Sequence, residues 1–341
     1  MLTASFKKYS LQFKTPVLTS RGSMTHKNGY YIELTDGAKK GIGECSYIEG
    51  LSIDRLDDYE TTLHTVCQNI ANYLHAPHIN LTAFPSIAFG IETALLDFNS
   101  TKQDVLLESN FTKGLSGISI NGLIWMGNKR FMLQQVQEKI AHGYKCIKLK
   151  VGALDFATEL KIIESIRKEF SKNKIELRID ANGAFNATDV FTKLKALAQF
   201  GIHSVEQPVK PKQYELMHEV CAANIMDVAL DEELIGVCNT EERTALLEKI
   251  NPQYIILKPS LLGGIASCNE WIEIAHSKNI AWWATSALES NIGLNAIAQW
   301  AFTKHPAMPQ GLGTGGLFIN NTTTKLHIKE GNLWFNLPNS L

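Results

Sequence analysis

Two hydrophobic rhythms divide the chain. In the first hundred residues, segments 4–13, 30–34 and 39–44 read as strands, with turn chemistry supplied by Asn28-Gly29 and Asp36-Gly37. The rhythm then changes to steps of three and four. Leu56, Tyr59, Leu63, Val66, Ile70 and Leu74 predict a helix over residues 54–74 with Asp54 as its N-cap. Ile87, Ile91, Leu95 and Phe98 predict another over 85–98, opening on Pro85. Residues 18–27 and 46–52, rich in Ser, Thr and Gly, read as loops. Strands first and helices afterwards predict a separate α+β unit.

From about residue 115 the pattern becomes strand-then-helix. Short apolar runs end near Ile120, Lys150, Asp180, Glu206, Asp231, Lys258, Ser286 and Gly311, with amphipathic stretches such as 128–142, 155–170, 187–201 and 263–278 between them. From 150 to 286 the ends are separated by 30, 26, 25, 27 and 28 residues. That is the length of one β-α unit with two short loops. Eight such strands can close into a parallel barrel wrapped by helices. An open doubly wound sheet is the alternative, but no GxGxxG follows any strand, and polar residues at nearly every strand end suit a barrel mouth. The tail, 325–328 and 332–335, reads as a hairpin returning to the N-terminal unit.

Composition narrows the partners. The chain has 341 residues, 45% hydrophobic and 20% charged, and 33 Lys+Arg against 34 Asp+Glu leave a net charge of −1. This is globular composition, with nothing to attract nucleic acid or an anionic membrane. No apolar run is long enough to span a bilayer, and the N-terminal residues do not read as a signal peptide. Six cysteines without a CxxC pair suit a reducing compartment, so the expectation is a cytoplasmic protein.

The chemistry lies at the strand ends: IKLK, RIDAN, VEQP, ALDEE, ILKP and TSALES. Asp180, Glu206 and Asp231 end three successive predicted strands. Neighbouring strands lie about 4.8 Å apart, so inward carboxylates there converge and repel one another unless a cation joins them. An all-oxygen set favours Mg²⁺ over zinc. One acid at a β-α turn usually starts the following helix; three on a regular step favour the metal site. Lys148 and Lys150, two apart on a strand, share a face. Adjacent ammonium groups lower affinity for the second proton, which suits Lys150 to act as a base. Solvated surface lysines are the alternative, but IKLKV otherwise reads as a buried strand. Lys258 ends the sixth strand, opposite the second in an eight-stranded barrel. A divalent ion holding a substrate carboxylate, with a lysine beside the neighbouring carbon, suits proton abstraction. Trp282 and Trp283 are expected against the barrel wall and Cys146 in the lower interior.

KxK at 148–150, DAN at 180–182, EQP at 206–208, DE at 231–232 and LKP at 257–259 together resemble the enolase superfamily, in its muconate-lactonizing-enzyme subgroup. The resemblance implies an α/β fold: an α+β capping domain over 1–112, a (β/α)7β TIM-like barrel over 113–315, and a C-terminal segment, 316–341, that returns to the capping domain. It implies Mg²⁺, with Mn²⁺ as a substitute, at Asp180, Glu206 and Asp231; Lys150 as acid/base with Lys258 facing it; Lys148 assisting; and Asn182 and Glu232 orienting ligands and lysines. A lysine base working with Mg²⁺ is the general scheme of that superfamily.

LKPSLLGG, TSALESNIGL and QGLGTG are similar to the o-succinylbenzoate synthase family of menaquinone biosynthesis. This implies a small-molecule carboxylate as substrate, and Lys150 both removing the α proton and helping hydroxide leave. It implies Lys258 stabilising the enediolate, Ser286 and the backbone around Gly263 meeting the succinyl arm, and Arg21 in a lid loop over 19–25. DEE at 231–233 departs from the DES of many relatives, and Glu233 is expected as a helix-start acid. The same scaffold serves dipeptide epimerases and N-acylamino acid racemases, but the DxD that epimerases usually carry on strand eight is replaced here by QGLGTGG. A non-catalytic binding protein would show eroded strand ends. A homo-oligomer is compatible with these features.

Overall fold

A computed structural model describes residues 2–19, 22–125, 127–152 and 154–336. The N-terminal unit is an antiparallel meander of β1 (Thr3–Thr19), β2 (Gly22–Thr35) and β3 (Lys40–Cys45). β1 and β2 pair from Thr3 with Thr35 to Gln12 with His26, then, after a register shift, from Val17 with Met24 to Thr19 with Gly22. The expected loop over 18–27 and the turn at Asn28-Gly29 therefore lie within a long hairpin. Asn28 pairs with Ser10, and Gly29 is small because the Tyr9 ring passes over it: an added Cβ would stand 2.4 Å from the Tyr9 hydroxyl.

The expected helix over 54–74 breaks into a 3-10 turn (Leu56–Asp58), a helix (Tyr59–Gln68) and a second 3-10 turn (Ile70–Asn72). Its apolar stripe still reaches the core, where Tyr59, Leu63, Val66 and Ile70 join Ile32 and Leu34. Asp54 is not its cap. The carboxylate is buried and accepts from the Ser86 backbone N–H at 3.1 Å and hydroxyl at 2.7 Å, and burial pushes its pKa up to about 7. The helix Pro85–Asn99 lies close on β3, where a Cβ at Gly43 would meet the Gly90 carbonyl at 1.9 Å.

The larger unit begins with β4 (Ile118–Ser119) and then a curled, seven-stranded parallel sheet. Its strands are β5 (Gly122–Ile124), β6 (Cys146–Lys150), β7 (Glu176–Asp180), β8 (Ser204–Glu206), β9 (Val228–Leu230), β10 (Tyr254–Leu257) and β11 (Ala281–Ala284), in that order. A short segment joins the two edges: Thr285 bridges Gly311, and Ile120 bridges Gln310, both in parallel. Alternation along each strand divides the sheet's faces. Ile147, Leu149, Leu177, Ile179 and Val205 pack with Ile162, Ile163, Ile166 and Leu194 of the surrounding helices. The other face carries Lys148, Arg178, Glu206 and a small separate cluster of Ala229, Ile256 and Trp283. Trp282 packs near Trp300 of the helix Asn291–Thr303, as expected for a wall residue. Trp283 instead turns to the opposite face, 4.2 Å from the Arg178 guanidinium, because residues one apart on a strand point oppositely.

The C-terminal hairpin, β12 (Leu326–Lys329) and β13 (Asn332–Phe335), pairs with β4 and buries Leu326, Leu333 and Phe335 in the larger unit's core. The segment before it meets the N-terminal sheet: Phe318 bridges Phe13, and the Ile319 N–H donates to the Gln12 carbonyl at 2.9 Å. The hairpin strands pair with β4 and not with the N-terminal sheet, whose apolar face is covered by Pro85–Asn99. Two carboxylates, Glu44 buried and Glu92 half-buried, hold the units together. Glu44 accepts from the Ser290 and Gly293 N–H groups at 2.8 and 2.9 Å, and Glu92 from those of Ile265 and, at 2.9 Å, Ala266. Each carboxyl group thus sits at the positive N-terminus of a helix. No described helix is long and apolar enough to cross a membrane.

Candidate active site

A cavity of about 430 Å³ opens where β2 and the segment after β3 cover the C-terminal ends of the parallel strands. Lys148, Lys150, Asp180, Asn182, Glu232, Lys258 and Ser286 line it from below, and Lys27, Asn28, Tyr47 and Glu49 from above. In the ladder Lys150 is level with Asp180, Asp180 with Glu206, and Glu206 with Ala229. Asp231 lies two residues beyond Ala229, on the same face.

The charges are paired across the strands. The Lys150 ammonium donates to Asp180 at 2.8 Å and to the Asn182 side-chain oxygen at 2.7 Å. Lys148 donates to Glu206 at 2.8 Å and stands 3.6 Å from Asp180; Lys258 donates to Asp231 at 2.5 Å. Asn182, with a left-handed φ of 44°, passes the network on to Glu232 through its amide at 2.9 Å. Burial alone would lower Lys148, but the Glu206 and Asp180 carboxylates outweigh it and hold its proton more tightly than usual. Burial likewise opposes the Lys258 ammonium, and Asp231 and Glu232 outweigh it, raising its pKa. Burial raises Asp180, but Lys150 and Lys148 hold it well below the usual carboxylate range. The expected like-charge pressure within KxK is thus met by carboxylates, and the ammonium that acts against Lys148 is Lys258, across the site.

Glu206 shifts the other way. Burial, then Asp180, push its carboxyl up to about 8, and its Oε1 is buried without a hydrogen-bond partner among the described residues. An all-oxygen donor set with one orphaned carboxylate oxygen fits a hard divalent cation. As the side chains stand, no three of the described His, Cys, Asp and Glu residues are grouped at metal-holding spacing. Lysine ammonium groups occupy the carboxylates instead, so a cation would take their place on Glu206 and Asp231.

Of the other expected residues, Ser286 lines the cavity with its hydroxyl committed. It donates to Glu289 at 2.6 Å and accepts from Thr314 at 2.8 Å and the Leu288 N–H at 3.0 Å. Gly263 is not in the cavity. It ends the short helix Pro259–Leu262 with a φ of 94° and borders a separate crevice beside His78. Its glycine serves the helix end, where a left-handed residue is needed. Arg21 lies outside the described residues. Glu233 lies in the short 3-10 turn Glu232–Leu234, and its carboxylate reaches back to accept from the Lys212 N–H at 2.6 Å and the Gln207 amide at 3.0 Å. Gln207, which the sequence reading passed over, also accepts from the Asp231 N–H at 3.2 Å. Gln207 thereby ties two carboxylate-bearing strand ends together. Its only sequence signal is its place between Glu206 and Pro208.

Comparison with known proteins agrees with this geometry. Residues 132–333 match the family described as enolase C-terminal domain-like, and residues 1–98 match the MenC N-terminal domain. The chain is 42% identical to an o-succinylbenzoate synthase of Desulfotalea psychrophila, over 96% of this chain and 97% of that one. A crystal structure of MenC from the same organism superposes with a TM-score of 0.87 at 39% identity, covering 98% of this chain and 99% of the other. A dipeptide epimerase from Enterococcus faecalis, solved with Mg and L-Leu-L-Tyr, shares the fold at a TM-score of 0.85 and 21% identity, over 98% and 96% of the two chains. With both units matched and two-fifths of its residues shared along almost the whole length, this chain belongs to the o-succinylbenzoate synthase family of the enolase superfamily.

Proposed function

We infer that this chain is a hydro-lyase of menaquinone biosynthesis, dehydrating 2-succinyl-6-hydroxy-2,4-cyclohexadiene-1-carboxylate to o-succinylbenzoate with Mg²⁺. The observation that carries the inference is the 42% identity to an o-succinylbenzoate synthase through both units. The strand-end chemistry is consistent with it. Asp180, Glu206 and Asp231 would hold the metal, which when bound would stabilise charge developing on the substrate's ring carboxylate. Mn²⁺ is proposed to substitute.

Lys150 Nζ, in its neutral form, takes the proton from the carbon α to that carboxylate, with Asp180 and Asn182 fixing its position. The same Nζ, now an ammonium, returns that proton to the departing hydroxide, so water leaves and the ring becomes aromatic. Lys258 keeps its proton throughout, and its positive charge faces the developing enediolate. A lysine held protonated serves one-base dehydration better than the two-base exchange of an epimerase.

The wider architecture belongs to the same proposal. The bridges at Gln310 and Gly311 support reading the curled sheet as a (β/α)7β barrel, with the N-terminal unit as its cap. Six free cysteines suit a cytoplasmic setting. The test is an assay of purified protein with the cyclohexadiene substrate and with L-Ala-L-Glu, with and without Mg²⁺. The expected result is turnover of the first alone, abolished by EDTA and restored by either Mg²⁺ or Mn²⁺. Epimerisation of the dipeptide without dehydration would overturn the reading.

A further inference from the structure

Besides Lys139 and the three lysines at the strand ends, the cavity has a buried cation on its roof. Lys27, on β2, is 2% exposed, and its side chain lines the cavity. Its ammonium donates to the Ser46 hydroxyl at 2.9 Å and the Asn28 carbonyl at 3.1 Å, and stands 5.6 Å from the centre of the Tyr47 ring. Among the described residues no carboxylate oxygen lies within ion-pair distance. The acids whose charges reach it are engaged elsewhere: Glu44 and Asp54 hold backbone N–H groups and hydroxyls, Glu289 holds Ser260 and Ser286, and Glu49 is exposed at the rim. An ammonium has three donors, and here two are spent on neutral oxygens. A buried charge left in that condition is costly unless an anion completes it.

The substrate inferred above carries two carboxylates, one on the ring and one at the end of a four-carbon arm. The ring carboxylate belongs with the floor, where proton abstraction occurs. The arm's carboxylate needs its own donor, and Ser286 cannot supply one, since its single O–H is given to Glu289. We propose that Lys27 is the specificity-determining residue that binds the remote carboxylate of the substrate's side arm, setting its ring carbon against Lys150. This rests on the functional reading above.

The experiment compares binding of o-succinylbenzoate with that of 2-butanoylbenzoate, the same ring with a methyl in place of the remote carboxylate. Affinities are measured by calorimetry with Mg²⁺ for wild type, Lys27→Met and Lys27→Arg, alongside KM and kcat. Wild type is expected to prefer the succinyl ligand by at least about tenfold, the usual scale of a charge-assisted hydrogen bond. Lys27→Met should lose at least about tenfold for that ligand but less than about twofold for the butanoyl one. The kinetic loss should fall on KM more than on kcat, and Lys27→Arg should recover part of it. Equal losses for both ligands would make Lys27 a structural counter-charge to Glu44 and Glu289 and overturn the proposal. Should Lys27→Met not fold, Lys27→Gln is read in its place against the same two ligands and by the same criterion, and equal wild-type affinities would already mean that nothing anchors the arm. Turnover without such discrimination overturns the anchor only; absence of turnover overturns the functional reading and the anchor with it.

Discussion

Arg178 and Asp180 stand two residues apart on β7, both buried, both on the face turned away from the helices, yet their surroundings differ. Arg178 is enclosed: its Nε donates to Glu176 at 2.7 Å, its Nη1 to the Pro309 carbonyl at 3.0 Å, and the Trp283 ring lies against it. Asp180 borders open cavity, and its partners are two lysines that border it too. Burial of charge alone therefore does not mark a site. The marker is charge whose partners also face a space that a substrate can enter, because only such pairs can exchange one another for a ligand.

Substitutions on the two sides should separate cleanly. The largest effect is expected for Lys150→Ala: a loss of kcat of about a thousandfold or more, as for removal of a general base, with Mg²⁺ binding retained. Steady-state kinetics with a parallel metal titration would check it. Turnover near the wild-type rate would take the proton transfer away from Lys150. Asp231→Asn should come next, moving the Mg²⁺ activation midpoint upward by at least about tenfold, with activity partly restored at high Mg²⁺. An unchanged titration would show that Asp231 is no ligand. On the enclosed side, Arg178→Met should cost about 2 kcal/mol in denaturant unfolding. This is below the loss for a fully buried pair, since the side chain of Glu176 is 30% exposed and can turn to water. The folded variant should keep kcat within about twofold. A large kcat loss with stability unchanged would erase the distinction between the two regions.

The repeating part of this contrast was legible in the sequence. A polar residue ending an otherwise apolar strand has one place to go in a parallel sheet wrapped by helices, so Lys150, Asp180, Glu206, Asp231 and Lys258 announced themselves by spacing. What stayed hidden depends on contacts between distant segments. Gln207 braces Asp231 and Glu233 only once β8 and β9 are neighbours. Gly263 looked like a site residue because it lies in a motif beside Lys258, whereas its backbone angle serves a helix end. Asn28-Gly29 carries a strong turn signal, but the Tyr9 ring from the paired strand is what requires the glycine. Lys27 drew no notice because a lone lysine in a strand normally reads as solvated; only the covering of the cavity buries it.

A half-buried carboxylate without a cation completes the comparison and gives the smallest expected effect. Asp180, beside lysines, is held well below the usual range, whereas Glu92, at the seam between the units, has only the N–H groups of Ile265 and Ala266. Burial pushes Glu92 up to about 7 from an ordinary value of 4.5, and those N–H groups offset only part of the rise. The folded state therefore holds this proton more tightly than the unfolded chain does. Its contribution to stability is complete below the ordinary value and declines as pH rises through about 7. The full shift would correspond to about 3 kcal/mol, and relaxation at the seam should leave about 1 kcal/mol. Glu92→Gln keeps one acceptor for the helix end and removes the titration. Urea unfolding at about pH 5 and about pH 8 should thus show wild type losing stability relative to Glu92→Gln as pH rises. The same slope in both proteins would mean that the helix N-terminus stabilises the Glu92 anion as effectively as the lysines stabilise Asp180. In that case the presence of a cation would not be what separates the mouth from the seam.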